Sequence, residues 1–173
     1  MPVCYIGIGS NLEDRNTWMN FAENQLQKYG SISRQSSRYV SKPWGFQSQH
    51  LFLNEVVALV TPLSPINLLK AAKEIEKLSR RTVSKSSSYQ DRPLDIDLLF
   101  YDDLILESPT LNIPHAKIQF RRFVLVPLHE IAPQFIHPVL QQSVSQLLLN
   151  CPDTSDIYPD NTEPPEFLNY FII

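Results

Sequence analysis

Asp95 and Asp97 interrupt a segment, residues 94–100, that otherwise has the composition of a buried strand. Residues two apart on a strand point to the same side, so both carboxylates are expected on one face of a sheet. The alternating residues Leu94, Ile96 and Leu98 are then expected on the other face. Two carboxylates ~6 Å apart repel by about 3 kcal/mol at an effective dielectric of 20. This face therefore needs water or a cation beside it.

The patterns around this segment predict an α+β fold. Apolar and β-branched runs predict strands, and apolar positions at the helical period, with Ser64 and Pro65 at one helix start, predict helices. The first helix is expected to be capped by Asn11 or Asp14. In chain order the elements read β-α-β-β-α-β, with strands predicted at 3–9, 31–40, 51–60 and 94–101 and helices after residues 11 and 64.

This order favours a ferredoxin-like core, in which helices cover one face of a mainly antiparallel sheet. The other face is then expected to be free for ligands. Additional C-terminal elements follow the core. They are a helical segment that Pro127 is expected to interrupt and a short helix from Ser143 to Asn150.

The length of 173 residues is that of one domain, expected over residues 1–150. Residues 151–173 contain prolines and acids but no basic residue, which is typical of a tail. The tail ends in the apolar sequence FLNYFII, which we expect to dock on the protein.

The net charge of −3 argues against a general nucleic-acid binder. Cys4 and Cys151 have neither the number of a disulfide framework nor the spacing of a zinc site, so a reducing cytoplasm is the expected location. No apolar run is long enough to predict a membrane helix.

Basic residues lie close to the two aspartates in the sequence. Carboxylates that can hold a divalent metal, together with bases, suit a metal-bound polyphosphate, because Mg²⁺ prefers a few carboxylates plus phosphate oxygens and water. The simpler alternative is a solvated edge strand beside a helix end, which favours cations in any case. The bases are Lys73, Lys77, Arg80, Arg81, Lys85 and Arg92.

Two further groups of residues suggest ligand contacts. His115 and Arg121 together could clamp a phosphate, although a lone histidine is more often structural. Trp44, Phe52 and Asn54 could grip a flat heteroaromatic ligand, by stacking and by an amide that offers both a donor and an acceptor. Taken alone, Asn54 could satisfy a neighbouring turn, and Phe123 is most simply a core residue.

Five segments in order resemble the 6-hydroxymethyl-7,8-dihydropterin pyrophosphokinase family, over about the first 140 residues. They are YIGIGSNL (5–12), SKPWGFQSQHLFLN (41–54), EIEKLSRR (74–81), RPLDIDLLF (92–100) and IPHAKIQFRRFVLVPLHEIAP (113–133). The resemblance implies a ferredoxin-like pyrophosphokinase domain that transfers diphosphate from ATP to the hydroxymethyl group of the reduced pterin, leaving AMP, in folate biosynthesis. ATP and the pterin are the implied partners of a cytoplasmic monomer.

The resemblance also implies roles for individual residues. Asp95 and Asp97 would hold two Mg²⁺ ions, and Asp97 is a candidate to assist proton removal. The implied pterin contacts are Ser41, Trp44, Gly45, Phe52, Asn54, Asp95 and Phe123. The implied ATP contacts are Glu76, Arg81, Lys85, Tyr89, Arg92, Leu98, His115 and Arg121. The implied catalytic residues are Asp95, Asp97, Arg92, His115 and Arg121.

The chain departs from the family pattern mainly on the nucleotide side. The departures are Arg80, Val83, Tyr89, Asp91, Pro93 and Ala116. The metal pair and the pterin pocket keep the residue types of the family.

Three alternative functions fit parts of the pattern. A nucleotidyltransferase of the polymerase-β type places Gly-Ser and D-x-D about a dozen residues apart, whereas Ser10 and Asp95 lie almost half the chain apart. An RNA-binding module needs exposed aromatics and a basic face on its central strands, which the two aspartates oppose. A pterin-binding relative without catalysis would keep most of the same pocket residues, so it stays open.

Overall fold

A computed structural model of the protein describes residues 1–12, 14–79 and 91–160. The strands in this part of the chain are β1 (Val3–Ser10), β2 (Ser31–Gln35), β3 (Tyr39–Ser41), β4 (Phe52–Val60), β5 (Asp95–Tyr101), β6 (Leu106–Glu107), β7 (Asn112–Ile113) and β8 (Tyr158–Pro159). The α-helices are α1 (Arg15–Leu26), α2 (Pro65–Ser79), α3 (Arg122–Ile131) and α4 (Val144–Leu149). The predicted α+β class is confirmed.

The main sheet is antiparallel in every pairing, with the strand order β5-β1-β4-β3-β8. β2 also pairs with β4, beyond β3 along the same strand. The predicted strand 31–40 is therefore two strands. They are separated at Ser36, whose hydroxyl accepts from the Val56 amide (3.0 Å).

Helices α1 and α2 form a layer on one face of the sheet. Asp14 caps α1, accepting from the Thr17 amide (3.2 Å), so Asn11 is not the cap. Pro65 begins α2 as predicted. Apolar residues of both helices, including Met19, Leu26, Leu68, Ala72 and Ile75, are buried against Ile6, Ile8, Val57, Ile96 and Leu98 of the sheet.

The expectation that the other face is free for ligands is wrong for most of that face. Helices α3 and α4 pack there, burying Val124, Leu125 and Leu128 against Val56 and Phe100. Pro127 does not interrupt α3 but lies buried inside it. The sheet therefore has a core on each face, and a cleft opens on the second face at the end near Asp95.

Residues 151–160 lie against the main sheet, because β8 pairs with β3 and the Asp160 amide donates to the Arg38 carbonyl (2.9 Å). The apolar end of the expected tail lies outside the described residues. Among the helices that the structure describes, none has both the length and the hydropathy needed to span a bilayer.

Candidate active site

The floor of the candidate site is a row of residues across three strands. Asp95 lies opposite Gly9 and Asp97 opposite Gly7 on β1, and Gly9 lies opposite Asn54 on β4. Leu94, Ile96 and Leu98 are buried under the helices, so the two-face prediction for β5 is confirmed. Because the glycines carry no side chain, an open cleft lies between the carboxylates and β4.

The two carboxylates crowd each other. Burial, together with the charge of Asp97, raises the pKa of Asp95 to about 6, and the Arg92 guanidinium opposes both effects. Arg92 Nη1 lies 2.9 Å from Asp95 Oδ1. Arg92 thus does not cancel the cost of burying the Asp95 carboxylate beside Asp97.

Arg121 and His115 meet the second carboxylate. Arg121 Nη1 lies 3.2 Å and His115 Nε2 4.0 Å from the same oxygen, Asp97 Oδ2. The Lys117 amide donates to His115 Nδ1 (3.2 Å), so in a neutral ring Nε2 carries the proton. Burial lowers the pKa of His115, while the charge of Asp97 raises it. His115 therefore turns the N–H of a neutral ring toward the Asp97 carboxylate.

Arg121 also joins the carboxylates to the aromatic end of the cleft. It directly precedes α3 in an extended conformation (φ −116°, ψ 90°) and is 7% exposed. Its guanidinium lies 5.1 Å from the centroid of the Trp44 ring and 5.8 Å from that of Phe123. Its Nε is buried and donates to no atom of the described residues, which leaves a donor for a ligand.

Four aromatic side chains line the cleft beside the carboxylates. The rings of Trp44 and Phe123 have centroids 6.3 Å apart, and those of Phe46 and Phe52 are 6.0 Å apart, edge to face. Gly45, in the loop that carries Trp44, has a φ of +79°, which favours glycine. The loop residues are thus brought to the same cleft as Phe123, as the sequence predicted.

Asn54 presents an acceptor to the cleft. Its Nδ2 donates to Ser41 Oγ (2.9 Å) and to the Tyr39 carbonyl (3.3 Å), which fixes the orientation of the amide. Its Oδ1 faces Gly9, at 3.5 Å from where a Cβ would stand. The sequence predicts both a donor and an acceptor here. In the structure only the acceptor is offered to a ligand, because Asn54 Nδ2 already donates to Ser41 and Tyr39.

Glu76 and Leu98, two expected ATP contacts, lie at the outer edge of β5. The buried Glu76 carboxylate accepts from the Ile96 amide (2.8 Å) and from Lys73 Nζ (2.9 Å). The Leu98 side chain is buried among the helices. Strand alternation places the backbone polar groups of Leu98 on the same outer edge of β5 as the Ile96 amide. A ligand would therefore contact the backbone of Leu98 rather than its buried side chain.

Several residues named from the sequence lie outside the described residues: Arg80, Arg81, Val83, Lys85 and Tyr89. Among the departures that are described, Asp91 accepts from Asn11 Nδ2 (2.6 Å). Ala116 follows His115 in the segment beside β5, where the His115 amide donates to the Leu99 carbonyl (2.9 Å).

Several residues that line the cleft were not assigned to the site from the sequence, among them Gly7, Gly9, Lys42 and Phe46. Glycines at alternate positions of a predicted strand are a signal that could have found the first two, because they leave space on one face. Phe46 stood in the same predicted loop as Trp44.

The carboxylate pair fits a divalent cation by its chemistry. Within the described ranges no three histidine, cysteine or acidic side chains come together as a metal cluster. Two hard oxygen donors suit Mg²⁺, which completes its shell with water and phosphate oxygens rather than with protein groups alone. Burial and the charge of Asp97 together raise the pKa of Asp95, and a bound cation would offset both effects.

Comparisons with known proteins place the chain in one family. Residues 5–133 match the family model described as 7,8-dihydro-6-hydroxymethylpterin-pyrophosphokinase. The chain is 40% identical over 141 residues to a 2-amino-4-hydroxy-6-hydroxymethyldihydropteridine pyrophosphokinase of Porphyromonas gingivalis, covering 80% of this chain and 95% of that one. It is 34% identical over 165 residues to the folic acid synthesis protein FOL1 of Dictyostelium discoideum, covering 94% of this chain and 24% of that one.

Among solved structures, the fold is similar to a crystal structure of a Plasmodium falciparum HPPK-DHPS triple mutant. The TM-score is 0.70 at 17% identity, covering 86% of this chain and 44% of that one. At this identity the likeness concerns the fold alone.

Proposed function

The chain belongs to the 7,8-dihydro-6-hydroxymethylpterin-pyrophosphokinase family, and from that premise we propose which residues carry its reaction. The protein is a pyrophosphokinase that transfers diphosphate from ATP to the hydroxymethyl group of 6-hydroxymethyl-7,8-dihydropterin, in folate biosynthesis. The hydroxyl oxygen bonds to the β-phosphorus of ATP. The bond from that phosphorus to the oxygen it shares with the α-phosphorus breaks, and AMP leaves with that oxygen. The hydroxyl proton is lost.

One observation carries the assignment of residues. Asp95 and Asp97 on β5 lie beside Gly9 and Gly7 on β1, which leave the sheet surface without side chains. The aromatic side chains lie at one end of the same cleft. This places a polyphosphate-binding charge pattern directly beside a pocket for a flat ring.

We assign Asp95 and Asp97 as the protein ligands of Mg²⁺, and expect two ions. When bound, the metal neutralises phosphate charge, which is the main requirement of phosphoryl-type transfer. The support is the pair of carboxylates on one face and the raised pKa of Asp95.

The pterin is assigned to the aromatic end of the cleft. Phe52, Phe123 and Trp44 offer ring faces for stacking, and Asn54 Oδ1 accepts from an N–H on the edge of the pterin. Ser41 acts through Asn54, whose amide it holds. Gly45 allows the loop conformation that brings Trp44 to the cleft.

The ATP phosphates are assigned to Arg92, Arg121 and His115. Arg92 and Arg121 flank the carboxylates, one at each aspartate, and can exchange these contacts for phosphate oxygens. His115 supplies a neutral donor beside Arg121. Contacts of Glu76, Arg81, Lys85, Tyr89 and Leu98 with ATP, and proton removal by Asp97, stay predictions from the sequence.

We further propose that the core is ferredoxin-like. The support is the order β5-β1-β4 followed by β2 and β3, which together occupy the position of one strand, with α1 and α2 as the two connecting helices.

The reaction is tested with purified protein, ATP, Mg²⁺ and 6-hydroxymethyl-7,8-dihydropterin, by measuring AMP. AMP is expected only when all are present. Asp97→Asn should abolish turnover, and Asp103→Asn, at an exposed aspartate in the turn after β5, is the matched control. Pterin binding without AMP would favour the non-catalytic relative that the sequence left open.

A further inference from the structure

Asn11 is a buried residue outside the groups assigned above. It follows β1, is 2% exposed, and contacts the segment just before β5, 80 residues further along the chain. Its Oδ1 accepts from the Arg92 amide (2.8 Å), and its own backbone amide donates to the Arg92 carbonyl (3.3 Å). One residue thus holds both backbone polar groups of Arg92.

Asp91 fixes the orientation of the Asn11 side chain. Asn11 Nδ2 donates to Asp91 Oδ1 (2.6 Å). A carboxylate can only accept and a backbone amide can only donate, so the Asn11 side chain has one orientation that satisfies both neighbours. Asp91 Oδ2 also lies 3.9 Å from His50 Nε2, in the loop before β4.

We propose that Asn11 and Asp91 form a positioning pair that sets the place of Arg92 at the D-x-D carboxylates. The Arg92 side chain starts from a backbone clamped by Asn11 and ends at Asp95 (2.9 Å). A shift of the backbone moves the guanidinium away from the carboxylate and from the ATP phosphates that replace it. This inference rests on the proposed function, because it assigns Arg92 to ATP.

A polarity swap tests the pair. Asn11→Asp places a second carboxylate against Asp91, so kcat/KM for ATP should fall about 10- to 100-fold, as displaced catalytic groups do. Asp91→Asn should have a small effect, because its amide oxygen can still accept. In the double variant N11D/D91N, the new carboxylate at position 11 accepts from both the Arg92 amide and the new side-chain amide at position 91. Activity should then return to within about threefold of the parent, since both hydrogen bonds are restored.

The test also needs a readout that a merely structural role does not move. If Asn11 acts through Arg92, then N11D in an Arg92→Ala background should lower kcat/KM for ATP by less than about twofold, because coupled residues are not additive. A full additional loss there, or no rescue in the swapped pair, overturns the proposal. Pterin affinity, measured in parallel, should stay near that of the parent.

Two further measurements keep the outcomes distinct. Calorimetric binding of Mg²⁺-ATP to the same variants reports the position of Arg92 without turnover. A wild-type protein that makes no AMP contradicts the proposed function, whereas unchanged ATP binding in N11D overturns the positioning pair. If N11D does not fold, Asp91→Ala removes the acceptor of the Asn11 Nδ2 hydrogen bond and should weaken ATP binding only when Arg92 is present.

Discussion

Gly9 pairs with Asn54 across β1 and β4, and a Cβ at Gly9 would stand 3.5 Å from Asn54 Oδ1. That distance is an ordinary contact, so the fold tolerates a methyl group there. The space is nevertheless the approach to the amide oxygen that Asn54 turns toward the cleft. The absence of a side chain at Gly9 therefore keeps the Asn54 oxygen, the proposed pterin acceptor, accessible.

Gly9→Ala should raise the KM for the pterin about tenfold with little change in stability, because the methyl group covers Asn54 Oδ1 and one hydrogen bond to a ligand is lost. Steady-state kinetics with varied pterin checks this. Gly7→Ala also narrows the cleft, but its methyl group would meet the Leu99 side chain at 3.6 Å and not Asn54, so it separates the lost hydrogen bond from a general narrowing. Equal pterin KM values for Gly9→Ala and the parent would contradict the assignment.

The Mg²⁺ requirement should depend on pH. A proton on Asp95, whose pKa is about 6, competes with the metal, so affinity for Mg²⁺ should be constant well above pH 6 and fall as the pH drops through 6. The Mg²⁺ concentration for half-maximal activity should rise about tenfold from pH 7 to pH 5, as one competing proton requires. Asp97→Asn removes the repelling charge and should lower the pKa of Asp95, measurable by NMR titration.

Local periodicity was sufficient to predict much of the fold. The two faces of β5 follow from alternation between Asp95 and Ile96, and α2 follows from its apolar stripe. The packing of α3 on the second face of the sheet was not predicted. This helix docks through contacts between distant parts of the chain, such as Val124 with Val56. No local pattern encodes which face a later helix covers.

In the candidate site, too, some contacts could be predicted from the sequence and others could not. The resemblance named Arg121 and Asp97, and the structure places them in contact. Asn11 was considered only as a helix cap, because its partners Asp91 and Arg92 are about 80 residues away and no local pattern links them. The acceptor-only role of Asn54 depends on Ser41 and the Tyr39 carbonyl, and so needed the packed structure.

Arg121→Lys should lower kcat/KM about 10- to 100-fold although the charge is kept. A lysine ammonium can pair with Asp97, but as a compact point charge it cannot do so and also lie over Trp44 and Phe123, as the broader guanidinium does. Kinetics with each substrate varied in turn should show losses toward both ATP and the pterin. Arg122→Lys, at the neighbouring position, is the matched control, and an equal loss there would remove the special role of Arg121.

Glu55 should make stability depend on pH. It lies on the α1 side of β4, paired with Arg38 Nε (3.1 Å), while its Oε1 has no hydrogen-bond partner among the described residues. Burial, together with the charge of Glu23, raises the pKa of Glu55 to about 8, while Arg38 opposes both effects. In the folded state Glu55 therefore keeps its proton to a higher pH than in the unfolded chain.

The sign follows from proton linkage. The folded state binds more protons than the unfolded chain between the ordinary glutamate pKa and about 8, so the stability due to Glu55 is complete below that window and is lost as the pH rises through it. Glu55→Gln keeps the shape but cannot ionise, so its free energy of unfolding should fall less between pH 5 and pH 9. Urea unfolding at several pH values measures this. Glu74→Gln, at an exposed glutamate on α2, is the control, and parallel curves for Glu55→Gln and the parent would show that Glu55 stays ionised beside Arg38.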